Sequence, residues 1–223
     1  MSPRNSAARR NKNKNNPGLK LDAIQLVGIA IVIIILASGI WLFILTNKPV
    51  AKTNIKQWAA APAMTIDTTK QYFADVKMVK GGDFVIQLYP DKAPITVNSF
   101  VFLSRQGYFN GVTFHRVLEG FMAQGGDPTG TGQGGPGYQF VNEPNDLTFD
   151  KAGVVAMANS GPNSNGSQFF VTFGPQPQLN GGYTIFGQVI SGMDIVNAIT
   201  RRDPDQHPTF QGDAMESVTV TDK

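Results

Sequence analysis

From Ile24 to Leu45 the chain runs for 22 residues without a charged side chain, through Val27, the unbroken stretch Ile31 to Leu36, and Ile40 to Leu45. A bilayer core is crossed by about 20 such residues in a helix. This run therefore divides the chain into parts that meet different solvents. Trp41, near one end, fits an interfacial anchor. Arg4, Arg9, Arg10, Lys12, Lys14 and Lys20 precede the run with no acid among the first 20 residues, a local charge of +6 in a chain of net charge +3. The pI of 9.1 thus describes a tail, and the remainder is net acidic. The excess of basic residues before the run predicts a cytoplasmic N-terminus and an extracytoplasmic remainder in the cell membrane. A cleaved signal peptide is the competing reading. Its apolar region is typically about 7–15 residues and ends at a small-residue site, whereas this run ends in Phe43-Ile44-Leu45-Thr46 and Ala59-Ala60-Ala61 lies far downstream. The organisation expected is a basic cytoplasmic tail (1–23), a transmembrane helix (24–45), a juxtamembrane linker (46–70) and a folded domain (71–223). Such a tail is ordinarily a solvated segment, so no nucleic-acid partner is expected.

The chain has no cysteine, which excludes a disulfide and a lipid-modified cysteine anchor. His115 and His207 are its only histidines and have no partner at metal-ligand spacing, so no metal site and no cofactor are expected. Within the linker, Trp58 and Met64 have two open placements, on the domain or on the membrane surface.

The domain reads as short strands between turns. Ala74 to Lys80 and Asp83 to Tyr89 flank Gly81-Gly82 in a hairpin pattern. Pro94 opens a helix to Gln106 with Val97, Phe100 and Leu103 on one side and Gly107 beyond its end. Further strands are expected at Phe114–Gln124, Val154–Ala158, Gln168–Thr172, Tyr183–Val189 and Ser217–Thr221, with a short helix at Met193–Thr200. Many short strands with two helices predict a mainly β fold built on a closed barrel.

Two blocks carry the chemistry. The first is Phe114-His115-Arg116-Val117 followed by Gly120-Phe121-Met122-Ala123-Gln124-Gly125-Gly126-Asp127. The second runs from Met157 through Asn159, Asn165-Gly166-Ser167 and Gln168 to Phe170. One arginine stands among aromatic, Met, Gln and Gly residues, with no nucleophile or metal cluster beside it. On a strand, Phe114, Arg116 and Leu118 would share a face, and a cleft containing Phe121, Met122 and Phe170 would give that arginine a use. Gly130-Thr131-Gly132-Gln133-Gly134-Gly135 matches a dinucleotide-binding pattern in form. It neither follows a strand nor opens an apolar helix, so it reads as a flexible surface loop. Asn165-Gly166-Ser167 is a formal glycosylation sequon inside a tight turn, where modification is not expected.

These two blocks resemble the signature blocks of the cyclophilins, the peptidyl-prolyl cis-trans isomerases (EC 5.2.1.8). The resemblance extends from about Tyr72 to the C-terminus. It implies an eight-stranded closed antiparallel β-barrel capped by two helices, no cofactor, and proline-containing polypeptides as substrates of a monomeric enzyme. Arg116 becomes the catalytic group. Phe121, Met122, Phe170 and Leu179 become the proline pocket, and Gln124 the partner that orients Arg116 or the substrate carbonyl. Ala158, Asn159 and Gln168 would line the peptide groove, and Tyr183 would stand at its edge, a position often His in the family. Gln178 departs further, because many eukaryotic cyclophilins have Trp there, a residue that contributes to cyclosporin binding. Together with the apolar run, the resemblance implies a membrane-anchored, bacterial-like isomerase acting on exported chains. The alternative is a cyclophilin-like module that grips proline segments as a chaperone without turnover.

Overall fold

The computed structural model of the protein describes residues 55–223; the basic tail and the apolar run 24–45 lie outside the described residues. Among the described residues, no helix is long and apolar enough to cross a membrane.

The first hairpin follows its sequence pattern. In β1 (Tyr72–Met78) the buried side chains are Tyr72, Ala74, Val76 and Met78, and in β2 (Asp83–Leu88) they are Phe84, Ile86 and Leu88. Gly81 and Gly82 join the strands at φ of 100° and 82°, a region that glycine enters without penalty. Helix α1 (Pro94–Arg105) has Pro94 in its first turn and no side-chain cap of its own. Its first amides are satisfied from a distance instead. The Glu143 carboxylate accepts from Ile95 N–H and Thr96 N–H, both at 2.8 Å, and places negative charge where the helix dipole favours it.

The remaining elements are β3 (Arg116–Leu118), β4 (Met122–Gly125), β5 (Val154–Met157), β6 (Phe169–Thr172), β7 (Ile185–Ser191), α2 (Met193–Asn197) and β8 (Met215–Asp222). All the pairings are antiparallel, and the strand order is β3-β4-β6-β5-β7-β2-β1-β8. Two expectations are corrected here. The stretch Phe114–Gln124 is two strands, because a turn at Glu119-Gly120 breaks it, with Gly120 at φ 67°. The barrel is also not closed, since β3 and β8 do not pair with each other. β3 is only three residues long, and its outer edge is taken by Arg202, which exchanges backbone hydrogen bonds with Val117 at 2.7 and 2.8 Å. The start of β8 bonds instead to the irregular segment before β3, through Gly111 N–H to Met215 O (2.7 Å) and Met215 N–H to Val112 O (2.9 Å).

The core lies between α1 and the concave face of the sheet. Phe100 from the helix meets Phe109, Phe169 and Phe186 at ring separations of 5.1, 5.6 and 5.3 Å. Phe114 packs against Phe169 and Phe84 in this same core, so it does not share a face with Arg116 as a regular strand would require. Each such buried ring contributes about 1.5–3 kcal/mol from leaving water. Strands β5 and β6 are buried at every position. Their second face carries a separate apolar cluster, and the candidate site stands on it.

Candidate active site

Strand register assembles this site. Arg116 on β3 pairs with Gln124 on β4, Gln124 pairs with Phe170 on β6, and Phe170 pairs with Ala156 on β5. Directly opposed residues lie about 4.5–5.5 Å apart at Cβ, so one row across the sheet sets a cation, an amide and an aromatic ring side by side. Two residues along, Leu118 pairs with Met122. Met122 and Phe170 are buried, and Phe121, Ala158, Leu179 and Tyr183 pack around them half-buried. The four residues expected to form the proline pocket thus come together in one cluster, with Tyr183 edge-on to Phe170 at 5.4 Å and 88°.

The arginine is the only charged group in that row, and it is not neutralised. Among the described residues, its guanidinium makes no hydrogen bond or ion pair; its Cζ lies 5.8 Å from the centre of the Phe121 ring. Glu119, the nearest acid in sequence, is engaged by Arg201, which also lies over the Phe173 ring at 4.3 Å. A half-buried guanidinium beside an apolar floor keeps its donors available and works in a low local dielectric.

Gln124 does not hold Arg116. Its Nε2 donates to Gln168 Oε1 at 3.0 Å, and Gln168 Nε2 donates in turn to Gly132 O and Gly134 O, both at 3.0 Å. The two glutamines therefore tie the glycine-rich loop to the rim of the groove. Ala158 N–H is bonded to Gln168 O at 2.9 Å. At the next residue, neither the backbone N–H nor the C=O of Asn159 has a partner among the described residues. The Asn159 side chain donates to Gly182 O at 3.3 Å. An extended peptide can use an unpaired backbone edge of this kind.

The glycine-rich loop is wrapped around a carboxylate. Asp127, 1% exposed, accepts from Thr129 N–H (2.7 Å), Thr131 N–H (3.1 Å), Gly132 N–H (2.6 Å) and Gly134 N–H (3.1 Å). Burial alone would raise its pKa, but the hydrogen bond from the Thr129 hydroxyl (2.7 Å) and those from the amides outweigh burial and hold it below the usual carboxylate range. The amides that would cradle a phosphate already have an anion, which fits the reading against nucleotide binding. A Cβ on Gly134 would lie 2.1 Å from Asp127 Oδ1, so glycine is required there. His115 sits beneath the same loop, 2% exposed, with neither ring nitrogen hydrogen-bonded. Burial pushes its pKa down. In the sequon, Asn165 is fully buried and donates to Val141 O at 2.9 Å, which is incompatible with glycosylation of the folded domain.

Sequence reasoning missed Phe149, which stacks under Phe170 at 5.8 Å and 14° and completes the pocket floor. It comes from a loop with no strand or helix pattern, held by Asn180 Oδ1 and by Gln176 N–H. Gln176 was also missed. Its Nε2 donates to Gly120 O at 2.9 Å, next to Phe121, and its Oε1 accepts from Gln178 at 2.7 Å.

With this geometry in place, the relationships are direct. Residues 73–220 match the family model of the cyclophilin type peptidyl-prolyl cis-trans isomerases. The chain belongs to that family. It is 52% identical over 122 residues to human peptidyl-prolyl cis-trans isomerase-like 1, covering 53% of this chain and 74% of that protein. It is 48% identical over 122 residues to the Arabidopsis thaliana isomerase CYP18-2, with the same coverage. Among solved structures, a Cryptosporidium parvum cyclophilin type isomerase superposes with a TM-score of 0.62 at 34% identity, covering 68% of this chain and 98% of that one. The activity of the family is peptidyl-prolyl cis-trans isomerisation, and its substrates are proline-containing peptides.

Proposed function

We propose that Arg116 is the catalytic group of this isomerase and that the Phe170 cluster holds the proline ring. The observation that carries this reading is the row that sets an unpaired guanidinium beside Gln124 and Phe170. Rotation about a peptide bond must overcome about 18–20 kcal/mol, because conjugation stiffens the C–N bond. No bond is made or broken. When the amide twists, the nitrogen leaves conjugation and its lone pair localises. A donor aimed at that nitrogen binds the twisted state better than either planar form, and this difference is the catalysis. Phe121, Met122, Phe149, Phe170 and Leu179 grip the ring while the preceding carbonyl turns. Gln124, Ala158, Asn159 and Gln168 position the peptide, and Tyr183 closes the edge. A structure of the Cryptosporidium parvum isomerase determined in the presence of the dipeptide Ala-Pro supports a proline peptide as the ligand class.

Arg116→Ala should lower turnover of a proline peptide by about 10²–10³-fold, the loss seen when one preorganised donor is removed, with the melting temperature unchanged. Equal turnover at equal stability would refute the role. Peptide binding by the wild-type chain without any turnover would favour the chaperone module.

The reading extends to location. The uncharged run 24–45 and its basic N-terminal flank support a single membrane anchor, with the isomerase outside the cytoplasm acting on exported chains. Protease added to intact cells should remove an epitope placed after Lys223 and spare one placed before Ser2. The reverse pattern would overturn the orientation, and a released form beginning beyond Leu45 would overturn the anchor.

A further inference from the structure

Arg116 needs its donors free, yet an acid lies three residues further along the chain. Glu119 opens the turn that follows β3. The turn returns at once to Phe121, the ring beside which the Arg116 guanidinium lies. The Glu119 side chain is 77% exposed, so packing does not fix its direction. A flexible carboxylate this close to a guanidinium is a natural charge-assisted partner for it, and pairing would occupy the donors. The pull is strong, because the half-buried Arg116 stands against an apolar floor where the local dielectric is low. The structure gives the carboxylate a different partner.

That partner is Arg201, from the segment after α2, and its guanidinium is fixed on every side. Its Nη1 donates to Asn197 O at 2.9 Å and to Ile199 O at 2.8 Å. Its Cζ lies 4.3 Å from the centre of the Phe173 ring. Phe173 is itself tied to the turn, since its N–H donates to Phe121 O at 3.0 Å. The next residue, Arg202, exchanges backbone hydrogen bonds with Val117, so the whole segment is fastened to β3. Held in this way, Arg201 offers its remaining donors to Glu119, which accepts from Nε and, at 3.4 Å, from Nη2. The same hydrogen bonding holds the Glu119 carboxyl below its ordinary pKa. Of the two arginines near this turn, one is spent on the acid and the other has no hydrogen bond or ion pair among the described residues.

We propose that Arg201 is a positioning residue for the isomerase: by holding Glu119, it keeps the donors of Arg116 open to the substrate. The consequence for turnover rests on the reading of Arg116 as the catalytic group; the holding of Glu119 does not. An exposed ion pair contributes little to stability, so the Arg201–Glu119 pair has its main effect on the neighbour it spares. Without Arg201, Glu119 turns to Arg116, and the fraction of molecules with a free guanidinium falls.

The test uses the full chain in detergent micelles and two readouts, turnover of a proline peptide and the Nε–H NMR resonance of Arg116, identified by its loss in Arg116→Ala. Wild type is compared with Arg201→Ala, Glu119→Gln and the double variant. Arg201→Ala should lower kcat/KM about two- to sixfold, the degree to which an ion pair of ordinary strength would occlude Arg116, and should move the Arg116 resonance. In Arg201→Ala/Glu119→Gln both readouts should return to their wild-type values, although the contacts of Arg201 with Phe173, Asn197 and Ile199 are still missing. Glu119→Gln alone should leave turnover unchanged. An unmoved Arg116 resonance in Arg201→Ala overturns the inference. So does unchanged turnover there when Arg116→Ala is impaired, or a loss that the double variant does not recover, which would make Arg201 a support for the β3 edge only. Full turnover in Arg116→Ala would strike the catalytic reading instead, and the resonance would still show whether Arg201 keeps Glu119 from Arg116.

Discussion

Strands β4, β5 and β6 carry an aromatic cluster on each face, and the two clusters are finished differently. On the inner face, Phe169 is fully buried and meets Phe100, Phe109 and Phe114 edge-on, with every neighbour also buried. On the outer face, the adjacent Phe170 rests on Phe149, but its rim of Phe121, Leu179 and Tyr183 is only half-buried, and a guanidinium stands beside it. One residue of strand register separates a ring that holds the domain together from a ring that can meet a ligand. A site of this kind needs no second domain. It needs strands apolar on both faces, with the outer cover left incomplete.

Exchanging the two rings is the strongest way to break this comparison. Phe169→Ala should cost about 3–5 kcal/mol of stability, read by denaturant unfolding, while the folded fraction keeps its affinity for a proline peptide. Phe170→Ala also truncates a buried ring and should lose some stability. Its distinguishing effect is on binding, where affinity should fall about 5–30-fold, the equivalent of 1–2 kcal/mol. Phe170→Leu leaves a smaller cavity and should retain the fold if the alanine variant does not. Loss of affinity in both variants, or in neither, would erase the distinction between the faces.

The contrast also explains what the sequence made legible. Alternation in Ala74–Lys80 and Asp83–Tyr89 located the first hairpin, observed at Tyr72–Met78 and Asp83–Leu88, because one face of each strand is more solvated than the other. The two signature blocks located Arg116, Met122, Gln124 and Phe170, because short-range register determines which of them are neighbours. Closure of the barrel was not legible. It depends on whether β3 meets β8, and Arg202, far along the chain, takes that edge. Phe149 was invisible for the same kind of reason: it reaches the pocket through a loop held by Asn180 and Gln176, and no local period marks such a residue. Of the two roles expected for Gln124, orienting Arg116 or the substrate carbonyl, its bond to Gln168 leaves the second. The glycine loop that draws Gln168, and through it Gln124, away from Arg116 folds around the Asp127 carboxylate, and spacing alone does not disclose that centre.

The smallest predicted effect concerns two consecutive residues of different exposure, the buried His115 and the half-buried Arg116. Burial lowers the pKa of His115 below its ordinary value of 6.5; Asp127 offsets part of this, while Arg202 and Arg116 add to it. In the unfolded chain the imidazole takes up its proton near pH 6.5, and in the folded chain it does so only at lower pH. The unfolded state therefore binds more protons in that window. The stability that comes from keeping His115 neutral is complete above pH 6.5 and declines as the pH falls towards the folded-state pKa. The slope can reach at most about 1.4 kcal/mol per pH unit. Denaturant unfolding between pH 7.5 and 5.5 should show this decline in the wild type and a shallower one in His115→Gln, while affinity for a proline peptide per folded molecule stays constant across the range. Parallel declines in the two proteins would assign the effect to other groups. A matching decline in affinity would show that the buried histidine and the half-buried arginine act together, and that the separation between core and site fails at this point in the chain.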